Sequence, residues 1–116
     1  MDRPKTLPSS LRDKKRYVVF RVISEKPVQI DMLAEKIYDE AFSLLGELGV
    51  AKSGMWVMKT LYDPEKKTGL VRCLPGSVEE TRLVLASIRN VDEIPCIVDI
   101  VGVTGTIKTA KLKYYR

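Results

Sequence analysis

Leu11–Ser24 reads LRDKKRYVVFRVIS. Its first half carries the cations Arg12, Lys14, Lys15 and Arg16, and it passes without a break into Tyr17–Ile23, a run of β-branched and aromatic residues. Such a run, ended by Pro27, predicts a strand buried on at least one face, over Arg16–Ser24. Alternation places Val18, Phe20 and Val22 on a purely apolar face that belongs to the core. Tyr17, Val19, Arg21 and Ile23 fall on the other face. A basic segment that feeds directly into a core strand is held by that strand, so its cations form a patch at a fixed position.

Working outward, Val28–Gly49 carries Ile30, Leu33, Ala34, Ile37, Ala41, Leu44, Leu45 and Leu48 at three- and four-residue steps, which predicts an amphipathic helix. Gly46, unfavourable in a last turn, is read as a point of close packing against the sheet. Gly54–Tyr62 and Gly69–Leu74 are two further strands, joined by the hairpin-like DPEKKT of Asp63–Thr68. Ser77, with Glu80 at capping-box spacing, opens a second helix to Val91, and Glu93–Val103 is a fourth strand. The order strand–helix–strand–strand–helix–strand is the split β-α-β, ferredoxin-like plan, which the RNA-recognition motif shares. It predicts an α+β sandwich with a four-stranded antiparallel sheet, its first and third strands central. Residues 1–10 are read as a flexible N-terminus and 11–116 as one domain, with a basic segment 104–116 that fits one short helix.

Charge sharpens the reading. Residues 1–21 hold seven Lys/Arg against two Asp/Glu, and residues 102–116 hold four Lys/Arg and no acid, whereas the intervening body is net acidic. An acidic body with two basic ends is the pattern of a chain with a polyanionic partner. The end clusters Arg12, Lys14, Lys15, Arg16 and Lys108, Lys111, Lys113, Arg116 are expected to meet at one end of the sheet and neutralise phosphates. Arg21 and Arg72 are candidates for the same role on the open sheet face, and the turn Gly102–Thr106 (GVTGT) for a phosphate at a helix start. The third strand, LVRCL over Leu70–Leu74, has no aromatic residue, so the base-stacking mode of an RNA-recognition motif is not supported. Tyr17, Trp56 and Tyr62 remain as single aromatics able to stack on a base, and a protein interface on the open face is the preferred reading for them.

There is no histidine, and Cys73 and Cys96 lie in apolar runs, so they read as buried thiols and no metal site is expected. No catalytic set is visible, because Ser77 and Ser87 have no histidine to activate them. Neither a membrane span nor the apolar centre of a signal peptide is present, which makes the cytoplasm the expected location.

Four motifs stand in matching order: LRDKKRYVVF (Leu11–Phe20), GELGVA (Gly46–Ala51), GLVRC (Gly69–Cys73) and VTGTIK (Val103–Lys108). Together they resemble the family of archaeal ribonuclease P protein component 2, the small subunit shared by archaeal and eukaryotic ribonuclease P. The resemblance implies a non-catalytic subunit of the ribonucleoprotein that removes the 5′ leader from precursor tRNA, with RNA and Mg²⁺ performing the hydrolysis and no cofactor on this chain. It further implies three partners: the ribonuclease P RNA, the TIM-barrel subunit of the same enzyme, and a second copy of the chain. Arg12, Lys14, Lys15, Arg16, Arg72 and the Thr104–Lys108 turn carry over by motif match. Thr104 stands where serine is the more frequent residue, and either hydroxyl caps a helix. The readings from other classes are a ferredoxin-like module that binds a small metabolite, and a phosphatase. The latter lacks its arginine-centred loop, because the first connection is Glu25-Lys26-Pro27.

Overall fold

The computed structural model describes residues 14–116. Arg12 and the N-terminal stretch 1–10 lie outside the described residues. In chain order the elements are β1 (Arg16–Ser24), α1 (Ile30–Ser53), β2 (Trp56–Val57), β3 (Thr68–Cys73), α2 (Val78–Ala86), β4 (Asn90–Val91), β5 (Ile94–Thr104) and α3 (Ile107–Tyr114).

The strands form one antiparallel sheet of five in the order β2-β3-β1-β5-β4, not the four expected. β1 is central, flanked by β3 and β5. Val18, Val19 and Phe20 have no solvent exposure, so the strand is buried on both faces at its middle, while Arg21 and Ile23 are exposed further along. Val18, Phe20 and Val22 meet Leu33, Ala34, Ile37 and Ala41 of α1 and Val84 and Leu85 of α2 in the main core. Cys73 and Cys96 are buried there too, and burial pushes both thiols up. Such thiols stay protonated and unreactive at neutral pH.

The opposite face is not open. The C-terminal segment forms α3, which lies across it and closes a second cluster of Val19, Leu70 and Ala110, with Tyr17, Met58, Leu61, Ile107, Tyr114 and Tyr115 packed around. The ring of Tyr114 rests directly on Gly102 of β5, and a Cβ at that glycine would collide with the Cζ and hydroxyl of the phenol. A β-bulge of β5 opposite Val19 and Phe20 leaves Val101 without a partner in β1 and bends the sheet there.

Other boundaries move for local reasons. The expected second strand is only Trp56–Val57, because Lys59–Leu61 coils into a 3₁₀ turn where Leu61 N–H bonds back to Met58. The second helix ends at Ala86, and the chain turns so that Asn90 and Val91 pair with Pro95 and Ile94 of β5. Ser77 starts α2 without a side-chain capping bond, so the capping box is not formed. α1 runs to Ser53 but is interrupted at Gly46, whose φ of 73° and ψ of 170° are not helical. Nothing lies within 4 Å of the Cβ position there. The glycine is therefore required by the backbone and not by close packing. The break carries Leu48 away from the core, leaving it 69% exposed, with Leu44 also exposed. No helix among the described residues is long and apolar enough to cross a membrane.

The seat of α3 gives a direct test. Gly102→Ala forces Tyr114 off the sheet and is expected to destabilise the fold by about 1–3 kcal/mol. A thermal melt should show the midpoint lowered by several degrees, and Tyr114→Ala combined with Gly102→Ala should be less than additive.

Candidate nucleic-acid interface

Two arginines face the α3 side of the sheet, at opposite ends of the Val19–Leu70 pair that α3 covers. The register sets their neighbours. Arg21 lies opposite Thr68 and Asp99, and Arg72 lies between Tyr17 and Trp56. They are thus on one face, as expected, but separated by the length of the α3 contact.

Arg21 is engaged within the chain. Its Nε donates to Thr68 Oγ1 at 3.2 Å and its Nη2 to the Tyr114 carbonyl at 3.1 Å. Lys66 Nζ donates to the Tyr115 carbonyl at 2.5 Å. Two cations therefore satisfy carbonyls at the C-terminal end of α3, where the helix dipole is negative. Tyr115 adds a bond from its hydroxyl to the Leu61 carbonyl at 2.8 Å. Lys66 was not among the residues singled out in the sequence, because a lysine in a polar hairpin has no local mark of a long-range partner. The hairpin itself is tied by Asp63, whose Oδ1 accepts from the backbone N–H groups of Glu65 and Lys66.

The other end of the face gathers the basic segments. Lys14, Lys15 and Arg16 lead into β1, and the register sets Tyr17 opposite Thr104, so the start of β1 adjoins the turn into α3. Arg16 Nη1 lies 4.0 Å from the Cβ position of Gly105 and donates to the Lys15 carbonyl at 2.9 Å. Thr106, not Thr104, caps α3, accepting from the Thr109 N–H at 3.1 Å. Thr104 Oγ1 closes the turn by donating to the Thr106 carbonyl at 2.9 Å. Lys108 is exposed in the first turn of the helix. Lys111 and Lys113 are exposed further along α3, and Arg116 follows it, toward the end where Lys66 docks. The structure therefore brings Lys14, Lys15, Arg16, Arg72 and Lys108 to one end of the sheet. The remaining C-terminal cations run out along α3 and do not converge on the same spot.

The three aromatic candidates separate. Trp56 is 57% exposed on the α3 side, opposite Arg72. Tyr17 is half-buried under the α3 cluster. Tyr62 is no part of a surface patch on that face: it packs against the main core, its ring stacked with Phe20 at a centroid distance of 6.4 Å. Among the described residues no group of three or more Cys, Asp or Glu is placed to hold a metal ion.

With this geometry in place, comparison with known proteins is decisive. The family model described as Rpp14/Pop5 matches residues 16–115, nearly all of the chain. The chain belongs to the Rpp14/Pop5 family. It is 41% identical over 113 residues to ribonuclease P protein component 2 of Pyrococcus furiosus, a match covering 97% of this chain and 92% of that relative. It is 36% identical over 110 residues to the protein of the same name from Archaeoglobus fulgidus, covering 95% and 96%. Among solved structures, a chain of the yeast ribonuclease MRP complex matches with a TM-score of 0.59 at 13% identity, covering 80% of this chain and 75% of that one. This last likeness concerns the fold. For this Rpp14/Pop5 member, the family match extends over β1, the bulged β5 and α3 alike.

The anchoring of α3 has a pH signature. Burial, reinforced by nearby Asp63, pushes the Tyr115 phenol up from its ordinary 10 to about 12, and Tyr62 moves the same way. The folded chain then holds this proton more tightly than the unfolded chain, so stability is intact below pH 10 and falls as pH rises through the window from 10 to about 12. Urea midpoints measured from about pH 9 to about pH 12 should drop, and Tyr115→Phe should flatten the drop, with Tyr62 accounting for the residue.

Proposed function

We propose that this chain is a non-catalytic protein subunit of ribonuclease P, the ribonucleoprotein that removes the 5′ leader from precursor tRNA. The observation that carries the reading is the pairing of near full-length similarity to ribonuclease P protein component 2 with a cluster of cations on a rigid strand end. In this reading the phosphodiester hydrolysis belongs to the RNA and its Mg²⁺. The chain contributes counterion-releasing contacts from Lys14, Lys15, Arg16, Arg72 and Lys108 that screen phosphate repulsion and hold the RNA fold. No cofactor is assigned to the chain.

Further parts of the proposal concern assembly. A TIM-barrel subunit of the same enzyme and a second copy of the chain are the protein partners, and the setting is the cytoplasm. The exposed apolar residues Phe42, Leu44 and Leu48 around the α1 break, and Ile23 beside Ile97 on the sheet, are surfaces that suit such partners. The strand order β2-β3-β1-β5 supports a ferredoxin-like ancestry to which the β4 ladder adds an edge. The metabolite-binding alternative would use a surface depression of about 700 Å³ beside Ile23, Arg89, Pro95 and Ile97. It predicts saturable ligand stabilisation that is insensitive to salt.

A salt series decides between them. Binding of the purified chain to a structured RNA should weaken steeply with salt, with a log–log slope of about −4 for five phosphate contacts. Lys14→Glu with Lys15→Glu should make the slope shallower by about two units and lower affinity at least about ten-fold near physiological salt. Unchanged affinity and unchanged assembled activity in that variant would refute the role given to the β1 cations.

A further inference from the structure

One row crosses four of the five strands on the α3 side of the sheet: Trp56 of β2, Arg72 of β3, Tyr17 of β1 and Thr104 of β5 stand directly opposite one another in turn. Neighbours in such a row have Cβ atoms about 5 Å apart, so Trp56 and Tyr17 flank Arg72 over a span of about 10 Å, the size of one nucleotide. Three observations set the row apart from the rest of the face. Trp56, the only tryptophan in the chain, is 57% exposed on an edge strand of two residues, although large aromatics are normally drawn into cores. The Arg72 Nε is shielded from solvent yet has no hydrogen-bond partner among the described residues, a state that leaves a charged donor group short of its full complement. The row contains no acid, and Lys14, Lys15 and Arg16 enter at its β1 position while the exposed Lys108 stands in the first turn of α3 beside Thr104.

We infer that this row is a subsite for one unpaired RNA nucleotide, its base stacked on the exposed face of Trp56 and its phosphate held by Arg72 with the flanking cations. The inference rests on the RNA-subunit reading and adds to it a specific target. The chemistry selects the class of ligand. A flat indole face next to a guanidinium matches a base and its phosphate, and the surrounding positive charge matches a strand that continues on either side. A double helix offers no free base face at such a platform, so the nucleotide must come from a loop, bulge or single-stranded segment. The aromatic residue comes from the edge strand β2, so the platform differs in position from one built on the central strands. It also reassigns Trp56 from a protein contact to a nucleic-acid contact.

The single tryptophan makes the test direct. The full chain is titrated with an oligouridylate of about eight nucleotides, with duplex RNA of the same length and with heparin, while Trp56 fluorescence is followed. The single strand should quench the emission strongly, whereas duplex and heparin should bind without quenching. Trp56→Ala should weaken single-strand binding about ten-fold and leave heparin binding unchanged. Arg72→Ala should weaken it similarly, with partial rescue in Arg72→Lys because the charge but not the fork is restored. Single-strand binding without quenching, or undiminished in Trp56→Ala, would overturn the subsite while leaving the RNA-subunit reading in place. Failure to bind any RNA even at low salt would remove that reading and the subsite with it. The quenching measurement uses the unaltered chain, so the inference is decided even where Arg72→Ala does not fold.

Discussion

The fold depends on a strand whose middle has no solvent-facing side. Three consecutive residues of β1, Val18, Val19 and Phe20, are fully buried, so the sheet needs a cover on each face. Helices α1 and α2 supply one cover and α3 the other. Fully burying a side chain such as Val19 or Leu70 contributes about 1.5–3 kcal/mol relative to exposure, which is large against the net stability of a small domain. The C-terminal segment is therefore structural, even though its composition is that of a basic tail. The same constraint fixes the cations at the start of β1, because a strand clamped from both sides cannot let its first residues wander.

Positive charge divides into two kinds according to what each group faces. Arg21 and Lys66 are spent on the carbonyl end of α3, and their donors close a helix that buries only one residue completely. Lys14 and Lys108 face solvent near the turn into that helix, with Arg16 half-buried beside them. A count of cations along the chain cannot separate these roles, since both kinds lie in equally basic stretches. What separates them is whether a backbone carbonyl is within reach, and that is decided by the sheet register and by the hairpin at Asp63–Thr68.

Much of the architecture was legible because it rested on strong local patterns. The apolar run of β1, the stripe of α1 from Ile30 to Ala41 and the hairpin chemistry before Gly69 all appear where alternation and turn residues place them. The rest turned on contacts that no window of sequence contains. β2 shrinks to two residues because Leu61 turns back to receive Tyr115, and α3 closes over the sheet through an alanine and tyrosines that make a faint apolar stripe. Gly46 was noticed as unusual, but its reason is a backbone angle, which side-chain pattern does not report. At the candidate site the basic end was legible from charge alone. The alignment of Trp56 with Arg72 and Tyr17 was not, because it follows from the register of a two-residue strand.

The bulge at Val101 acts as a phase shift in the alternation of β5. Before it, the odd-numbered Ile97 and Asp99 share a face with Ile23 and Arg21; after it, the even-numbered Gly102 and Thr104 do. One extra residue thus lets a single strand obey two opposite parities along its length. Drawing Val101 into the ladder opposite Val19 would restore a uniform parity and set a valine in place of Gly102 beneath the Tyr114 ring. The closing of the second face by α3 is in this sense written into the count of residues in β5, ahead of the helix that performs it.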